Sequence, residues 1–512
     1  MTGDHARSAA LLASLVQAQP GDLDLARKAL AAAIGAGEVD LALRLARSIP
    51  AEKLSSDARL LLAADELRRR RADRAMAWLS VKGETGDLTF LSPVVSAWGD
   101  AERGQMDRAL TTIEAVPANS LLGPLRAEQA ALILLKFRRS ADAEPFARRA
   151  IGSAGSREAR LRLAFADGFL AAGDPARAAA MVEGIGAEAA AARQRVLARK
   201  ATGMAIDSAT EAFAEVLAAF AGDLARLQRG VAPIGLVQVA RYADPQNSSA
   251  AMLLALLLDA QQRHDEAIAL LRTVPRDDAL ISVVRDVQVD ILGDENRFNE
   301  AYAIAAPAAS GRDAGVNDFA RLGGLFEAMG RHHEAADAYG RAIALATAQG
   351  LKSDLWTLLL FRASALEEAG RWQEARQALE QGLALAPDQP LLLNFLGYGK
   401  LERGEDLDAA EAMIRKASEL APDDASITDS LGWAQYKRGK IHEAIVTLQR
   451  AAEKDPDQAE IQEHLGDALF RSGRRFEARF AWSAALVTAE DDVASRVKAK
   501  LAAGLNPANA AP

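Results

Sequence analysis

One short phrase recurs through the second half of this chain: a Gly, then five residues later an Ala, with Glu just before that Ala. It reads Gly330-Arg-His-His-Glu-Ala335, Gly370-Arg-Trp-Gln-Glu-Ala375, Gly439-Lys-Ile-His-Glu-Ala444 and Gly473-Arg-Arg-Phe-Glu-Ala478, while Gly404 to Ala410 carries one extra residue. The steps from Gly370 to Gly404, Gly439 and Gly473 are 34, 35 and 34 residues. A unit of that length is one supersecondary element that cannot bury its apolar face alone. It becomes stable only by stacking on its neighbours around a continuous core. A chain written this way has little need of separate globular domains.

Other positions keep fixed offsets from the turn Gly, each with a steric reason. A small residue lies seven before it (Gly323, Ala363, Gly397, Gly432, Gly466), where one helix must let its neighbour approach. A large apolar residue lies four after the anchor Ala (Tyr339, Leu379, Ile414, Leu448, Trp482), one helical turn on, to fill the space between paired helices. Proline follows the anchor Ala by twelve at Pro387, Pro422 and Pro456, ending one helix and opening the next. The period and the pattern resemble the tetratricopeptide repeat. The resemblance implies an all-α superhelical solenoid of TPR helix-turn-helix repeats.

The same ruler runs backwards with weaker marks at Asn296, Gln262, Gly173, Arg138, Gly104, Arg70 and Gly37. Phase is lost only between about 184 and 242. The expected organisation is therefore a divergent N-terminal array over 1–183, irregular helical repeats over 184–242, a C-terminal array over 243–490, and a capping helix with a flexible tail over 491–512. Ala9 to Val16 followed by Gln17-Ala18-Gln19 resembles a signal-peptide core. However, Gly3 lies 34 before Gly37, Pro20 lies 17 before it, and Asp4 spoils a basic leader. The stretch reads better as the second helix of a repeat, with its first helix expected upstream of the sequence. If a leader precedes it, a periplasmic or outer-membrane-associated location follows; otherwise a cytoplasmic one.

Half of the residues are hydrophobic but only 5% are aromatic, so Ala and Leu carry the apolar fraction, as close-packed helices require. A net charge of −9 lacks the basic footprint of a nucleic-acid or anionic-membrane binder. No apolar run reaches the roughly 18 residues of a membrane-spanning helix. Cysteine is absent, which removes thiolate metal sites and a Cys nucleophile. Five of the six histidines sit near inter-helix turns, and His332-His333 lacks the i, i+4 spacing of a helical zinc pair. Gly397-Tyr-Gly-Lys400 lacks the Gly spacing and the Ser or Thr of a phosphate loop. No nucleophile elbow or dinucleotide fingerprint is present. The expectation is a protein that is not an enzyme and has no cofactor, metal or catalytic residue.

Binding is the role that such a stack suits, because the first helices line a concave groove. The groove-facing candidates are Asn394, Tyr398, Asp429, Trp433, Tyr436, Glu463, Asp467 and Phe470. This acidic and aromatic set differs from the basic set of clamps that grip a C-terminal carboxylate.

The phrases LLLNFLGYGKLERGED, ITDSLGWAQYKRGK and IQEHLGDALFRSGRRFEARFAWSAAL cover about 391–486. Through Asn394 with Gly397-Tyr398, Asp429 with Gly432-Trp433, His464-Leu465-Gly466, and Trp482, they resemble the C-terminal end of bacterial TPR lipoprotein adaptors of periplasmic carboxy-terminal processing proteases. That resemblance implies an outer-membrane-tethered scaffold that brings a serine protease to cell-wall hydrolases. The sequence departs from the family in carrying no lipid-attachment cysteine. The expected function is a scaffold whose C-terminal array docks protein partners, namely such a protease and its substrates, while the N-terminal array presents or homo-oligomerises. The alternative is a cytoplasmic assembly or regulatory module for a soluble complex.

Overall fold

The computed structural model describes residues 5–511 apart from 83–85, 187–188, 228–231, 312–313 and 352–354. Among these the regular structure is helical, with 29 α-helices and no strand. The solenoid reading of the sequence is what the structure has. Gly3, which set the phase of the first repeat, lies outside the described residues; the helix that follows it spans His5–Ala18.

Every turn position marked in the sequence from Gly37 onward has a left-handed backbone. Gly37, Gly104, Gly173, Gly330, Gly370, Gly404, Gly439 and Gly473 have φ between 67° and 87°, and Arg70, Arg138, Gln262 and Asn296 between 55° and 60°. The reason is a doubly bonded helix end. At Gly439, for example, its N–H reaches Tyr436 O (2.9 Å) and the Lys440 N–H reaches Gln435 O (2.9 Å). This closure satisfies the last carbonyls of the first helix only if one residue turns left-handed, which glycine does without a Cβ clash. The extra residue after Gly404 is absorbed by Asp406, itself at φ 44°, whose carboxylate caps the next helix at the Ala409 N–H.

The small residue seven before the turn meets the large residue of the paired helix. A Cβ on Gly432 would lie 2.6 Å from Leu448 Cγ, and one on Gly397 or Gly323 2.7 Å from Ile414 or Tyr339; Gly466 faces Trp482 in the same way. Leu448, Ile414 and Trp482 are fully buried at these contacts.

The chain forms two compact units, Met1–Arg321 and Leu322–Pro512. The expected array boundary near 243 falls inside the first. In that unit the stretch expected to hold irregular repeats folds inward. Arg199 makes one more left-handed turn (φ 58°), after which the chain leaves the helix and Ser208 and Glu211 cap a long helix, Ala209–Arg226. This helix and Ile234–Ala243 lie against the first helices Leu23–Gly35, Ser56–Arg68 and Ser92–Glu102. The Ala209 N–H donates to Glu102 (2.8 Å) and Tyr242 Oη donates to Asp65 (2.9 Å). Buried Glu215 receives Arg157 (3.0 Å), Arg160 (3.1 Å) and Asn247 (3.2 Å), and Arg157 also holds buried Glu128 (2.9 Å). Burial would raise the Glu215 carboxyl, but the two arginines hold it below its ordinary range. The inner face of the N-terminal repeats is thus filled by the chain itself.

The two glycine roles separate by measurement. Gly432→Val forces Leu448 and its backbone aside and should cost about 3 kcal/mol, whereas Gly439→Ala pays only left-handed strain, about 1 kcal/mol. Urea titration of the two variants should rank them in that order.

Candidate partner-binding face

In the second unit the first helices of successive repeats, Pro390–Glu402, Ala425–Lys437 and Ala459–Arg471, touch one another, and the last touches Asp491–Ala503. The second helices scarcely meet, so the stack curves with the first helices on its inner side. Counted from the close-packing Gly of each first helix, inner positions fall three before, one after and four after. These are successive turns of one helix face. They place Asn394, Asp429 and Glu463 in one row, Tyr398, Trp433 and Asp467 in a second, and Leu401, Tyr436 and Phe470 in a third. The eight residues singled out from the sequence therefore share one face. Leu401 completes it.

Their exposure differs from an open groove. Asp429, Trp433, Glu463 and Asp467 are buried, while Asn394, Tyr398, Tyr436 and Phe470 are half-buried. Part of the cover is the capping helix, which continues the lattice with cations. Arg496 makes a two-pronged pair with Glu463 (2.8 and 3.1 Å), and Lys500, fully buried, reaches Glu463 (2.6 Å) and Asp467 (2.7 Å). Burial raises the Glu463 carboxyl, but these bonds outweigh it and hold the group below its usual range. Asp467 moves the other way: burial lifts it despite Lys500 and the Trp482 indole N–H at 2.9 Å.

The rest of the cover is the tail, expected from the sequence to be flexible. Asn506-Pro507-Ala508-Asn509 has the composition of a β-turn, with Asn first and Pro second. The Asn509 N–H closes it on Asn506 O (3.1 Å), the Asn506 N–H donates to Asn509 Oδ1 (2.8 Å) and Asn509 Nδ2 to Gly504 O (2.9 Å). The segment starts at Gly504, whose φ of 78° and the nearness of Phe470, 2.9 Å from a would-be Cβ, both favour glycine. It ends with Ala511 buried in the apolar cluster of Leu401, Leu431 and Trp433, its N–H donating to Asp467 (3.3 Å). The tail is packed across the inner face.

A residue outside the candidate set anchors the centre. The His464 ring is stacked on Trp433 (centroids 4.0 Å, 12° apart), with Tyr436 stacked on the same indole (4.5 Å, 10°). His464 Nδ1 is 2.8 Å from Asp429 Oδ2. Burial opposes the imidazolium, but Asp429, aided by Asp467 and Glu463, outweighs it and raises the histidine above its ordinary 6.5. In the sequence His464 follows Glu463 directly, and only its place beside the close-packing Gly466 marks it as different from the turn histidines. Two acceptors of the first row, Asn394 Oδ1 and Asp429 Oδ1, are buried with no hydrogen-bond partner among the described residues. Among those residues no group of three or more His, Cys, Asp or Glu is arranged to hold a metal ion, and no helix is long and apolar enough to cross a membrane.

Family profiles described as tetratricopeptide repeat match residues 236–279 and 356–399, and one described as TPR repeat matches 432–473. The chain carries tetratricopeptide repeats. As a TPR scaffold it is suited to protein–protein interaction. A search of curated proteins gives no match. Among solved structures, this TPR chain is similar to the APC/C hetero-tetramer Cut9-Hcn1 (15% identity, 98% of this chain and 94% of that one, TM-score 0.39). It is also similar to a tetratricopeptide repeat protein from Parabacteroides merdae (14% identity, 51% and 100% covered, TM-score 0.41). A thermophilic TPR protein in Thermus thermophilus matches over 36% of this chain and 99% of its own, with 23% identity and a TM-score of 0.32.

The raised histidine sets a pH dependence. Because its folded value lies above its unfolded one, the stability it supplies is complete below about pH 6.5 and is lost as the pH rises through the folded value. Denaturation of wild type and His464→Gln at a series of pH values should show the largest difference at and below pH 6.5, shrinking above it.

Proposed function

We propose that this chain is a non-enzymatic scaffold whose C-terminal repeats dock a protein partner on their inner face. The observation that carries this reading is the lattice itself: aromatic and acidic side chains from three successive helices converge on one face, and two of its buried acceptors have no hydrogen-bond partner among the described residues. Aromatic anchors in a preformed, largely desolvated setting concentrate binding energy, and a pre-stacked frame spends little on ordering when a partner arrives. The filled inner face of the first unit supports a different role there, with partner contact or self-association confined to its outer helices.

The partner class comes from the resemblance of 391–486 to the protease adaptors. On that reading the docked protein is a carboxy-terminal processing protease, held near the cell-wall hydrolases it cleaves. Asn394, Tyr398, Asp429, Trp433, Tyr436, Glu463, Asp467 and Phe470 are the proposed docking set, with the half-buried members making the first contacts.

A photo-crosslinking amino acid placed at Tyr398, and separately at exposed Phe480 on the last second helix, tests the assignment with a purified processing protease encoded by the source genome. Crosslinking from Tyr398 at several times the yield from Phe480, together with faster cleavage of a cell-wall hydrolase when the scaffold is added, is the expected result. Crosslinking from Phe480 alone would move the docking surface to the outer face. No crosslink and no stimulation would remove the protease from the reading.

A further inference from the structure

We propose that the inner face of the last three repeats is a binding site for a turn-forming polypeptide segment of small, uncharged residues, and that the chain's own 504–511 segment is a resident copy that such a partner displaces. This inference rests on the docking reading above and names its ligand. The structure supplies the occupant. From Gly504 against Phe470 the segment crosses Asp467 and ends with Ala511 among Leu401 and Trp433, two repeats back along the stack. A methyl side chain fills this seat and is 5% exposed. Its neighbours in the cluster, Leu401, Leu431 and Trp433, are themselves buried, so a larger side chain must displace one of them.

The recognition at that point is a backbone one. Asp467 accepts the Ala511 N–H, a donor that any non-proline residue of a partner offers. Size at the seat, rather than side-chain chemistry, then sets specificity. The hold of the resident copy is partial. Its own turn bonds are internal to 504–509, and among the described residues one hydrogen bond, at 3.3 Å, ties Ala511 to the repeats. Beyond the seat, Asp429 Oδ1 and Asn394 Oδ1, which have no hydrogen-bond partner among the described residues, lie in the adjoining row. A partner segment that carries a hydrogen-bond donor past its small residue satisfies an acceptor there that the resident segment leaves unmet, which gives it an advantage in the exchange.

The test uses the full chain and a fluorescent peptide of its last nine residues, GLNPANAAP. Ala511→Asp places a carboxylate against Asp467 and unseats the tail; Asn509→Ala reaches the same end by loosening the turn. Both variants are first checked for unchanged near-ultraviolet circular dichroism. Peptide anisotropy should show at least tenfold tighter binding to each variant than to wild type, and a peptide with tryptophan in place of its second-last residue should bind neither variant. Equal affinity for wild type and variants, or no binding to any, overturns the proposal even if protease docking is observed. A dimer in wild type that both variants abolish, read by light scattering, overturns the displacement in cis by showing the seat filled from a second copy. If the peptide result holds and protease docking fails, the site stands and the partner class alone is replaced.

Discussion

A helix pair with apolar residues on both sides cannot be dry by itself, and every other feature of this chain follows from how that requirement is met. Within a repeat it is met by pairing: a glycine on the first helix receives a leucine or tryptophan from the second, and a left-handed residue ends each first helix so that the second can return. Along the inner side stacking is not enough, because successive first helices leave a curved surface carrying Trp433, Tyr436 and Phe470. Both units close that surface from within. The first uses the Ala209–Arg226 helix and its buried ion pairs; the second uses the Lys500 helix and the turn that follows it.

The two closures differ in how firmly they are held. In the first unit Glu215 is tied to two arginines and an asparagine, and breaking such a buried set by removing one partner typically costs about 3–5 kcal/mol. In the second the capping helix is similarly anchored through Lys500, but among the described residues the tail beyond it rests on one apolar seat and one hydrogen bond at 3.3 Å. A scaffold built this way keeps one inner face permanently structural and leaves the other able to exchange its cover for a partner. The acids of the lattice fit that division. Glu463 and Asp467 are committed to the cap, while one Asp429 oxygen has no hydrogen-bond partner among the described residues.

What repeated in the sequence was legible there, because a residue type recurring at a fixed offset announces its packing duty. The turn at Arg138 or Gln262 could be placed without a glycine, since the 34-residue step located it. The row structure of the inner face was legible for the same reason, and eight of its nine positions were named from it. Features that occur once were not. Glu215 meets Arg157 across 58 residues of chain, and no period links them. The tail looked loose because Asn506 to Pro512 is short and has no large apolar residue; its one local signal, an Asn-Pro pair three residues before a second Asn, was a turn. The burial of Asp429, Glu463 and Asp467 was not legible, because a carboxylate on a first helix gives no sign of burial until its partners are placed: Arg496 and Lys500 for Glu463 and Asp467, His464 for Asp429.

The claim that the second inner face is covered by the chain's own 504–511 segment is tested most directly by amide hydrogen exchange on the intact protein, followed by mass spectrometry of peptides covering 425–437 and 504–511. The account predicts that the 504–511 amides exchange measurably more slowly than an unstructured reference peptide, and that Ala511→Asp abolishes this slowing while the second helices keep their protection. Exchange of 504–511 at the unstructured rate in the wild-type chain would contradict it.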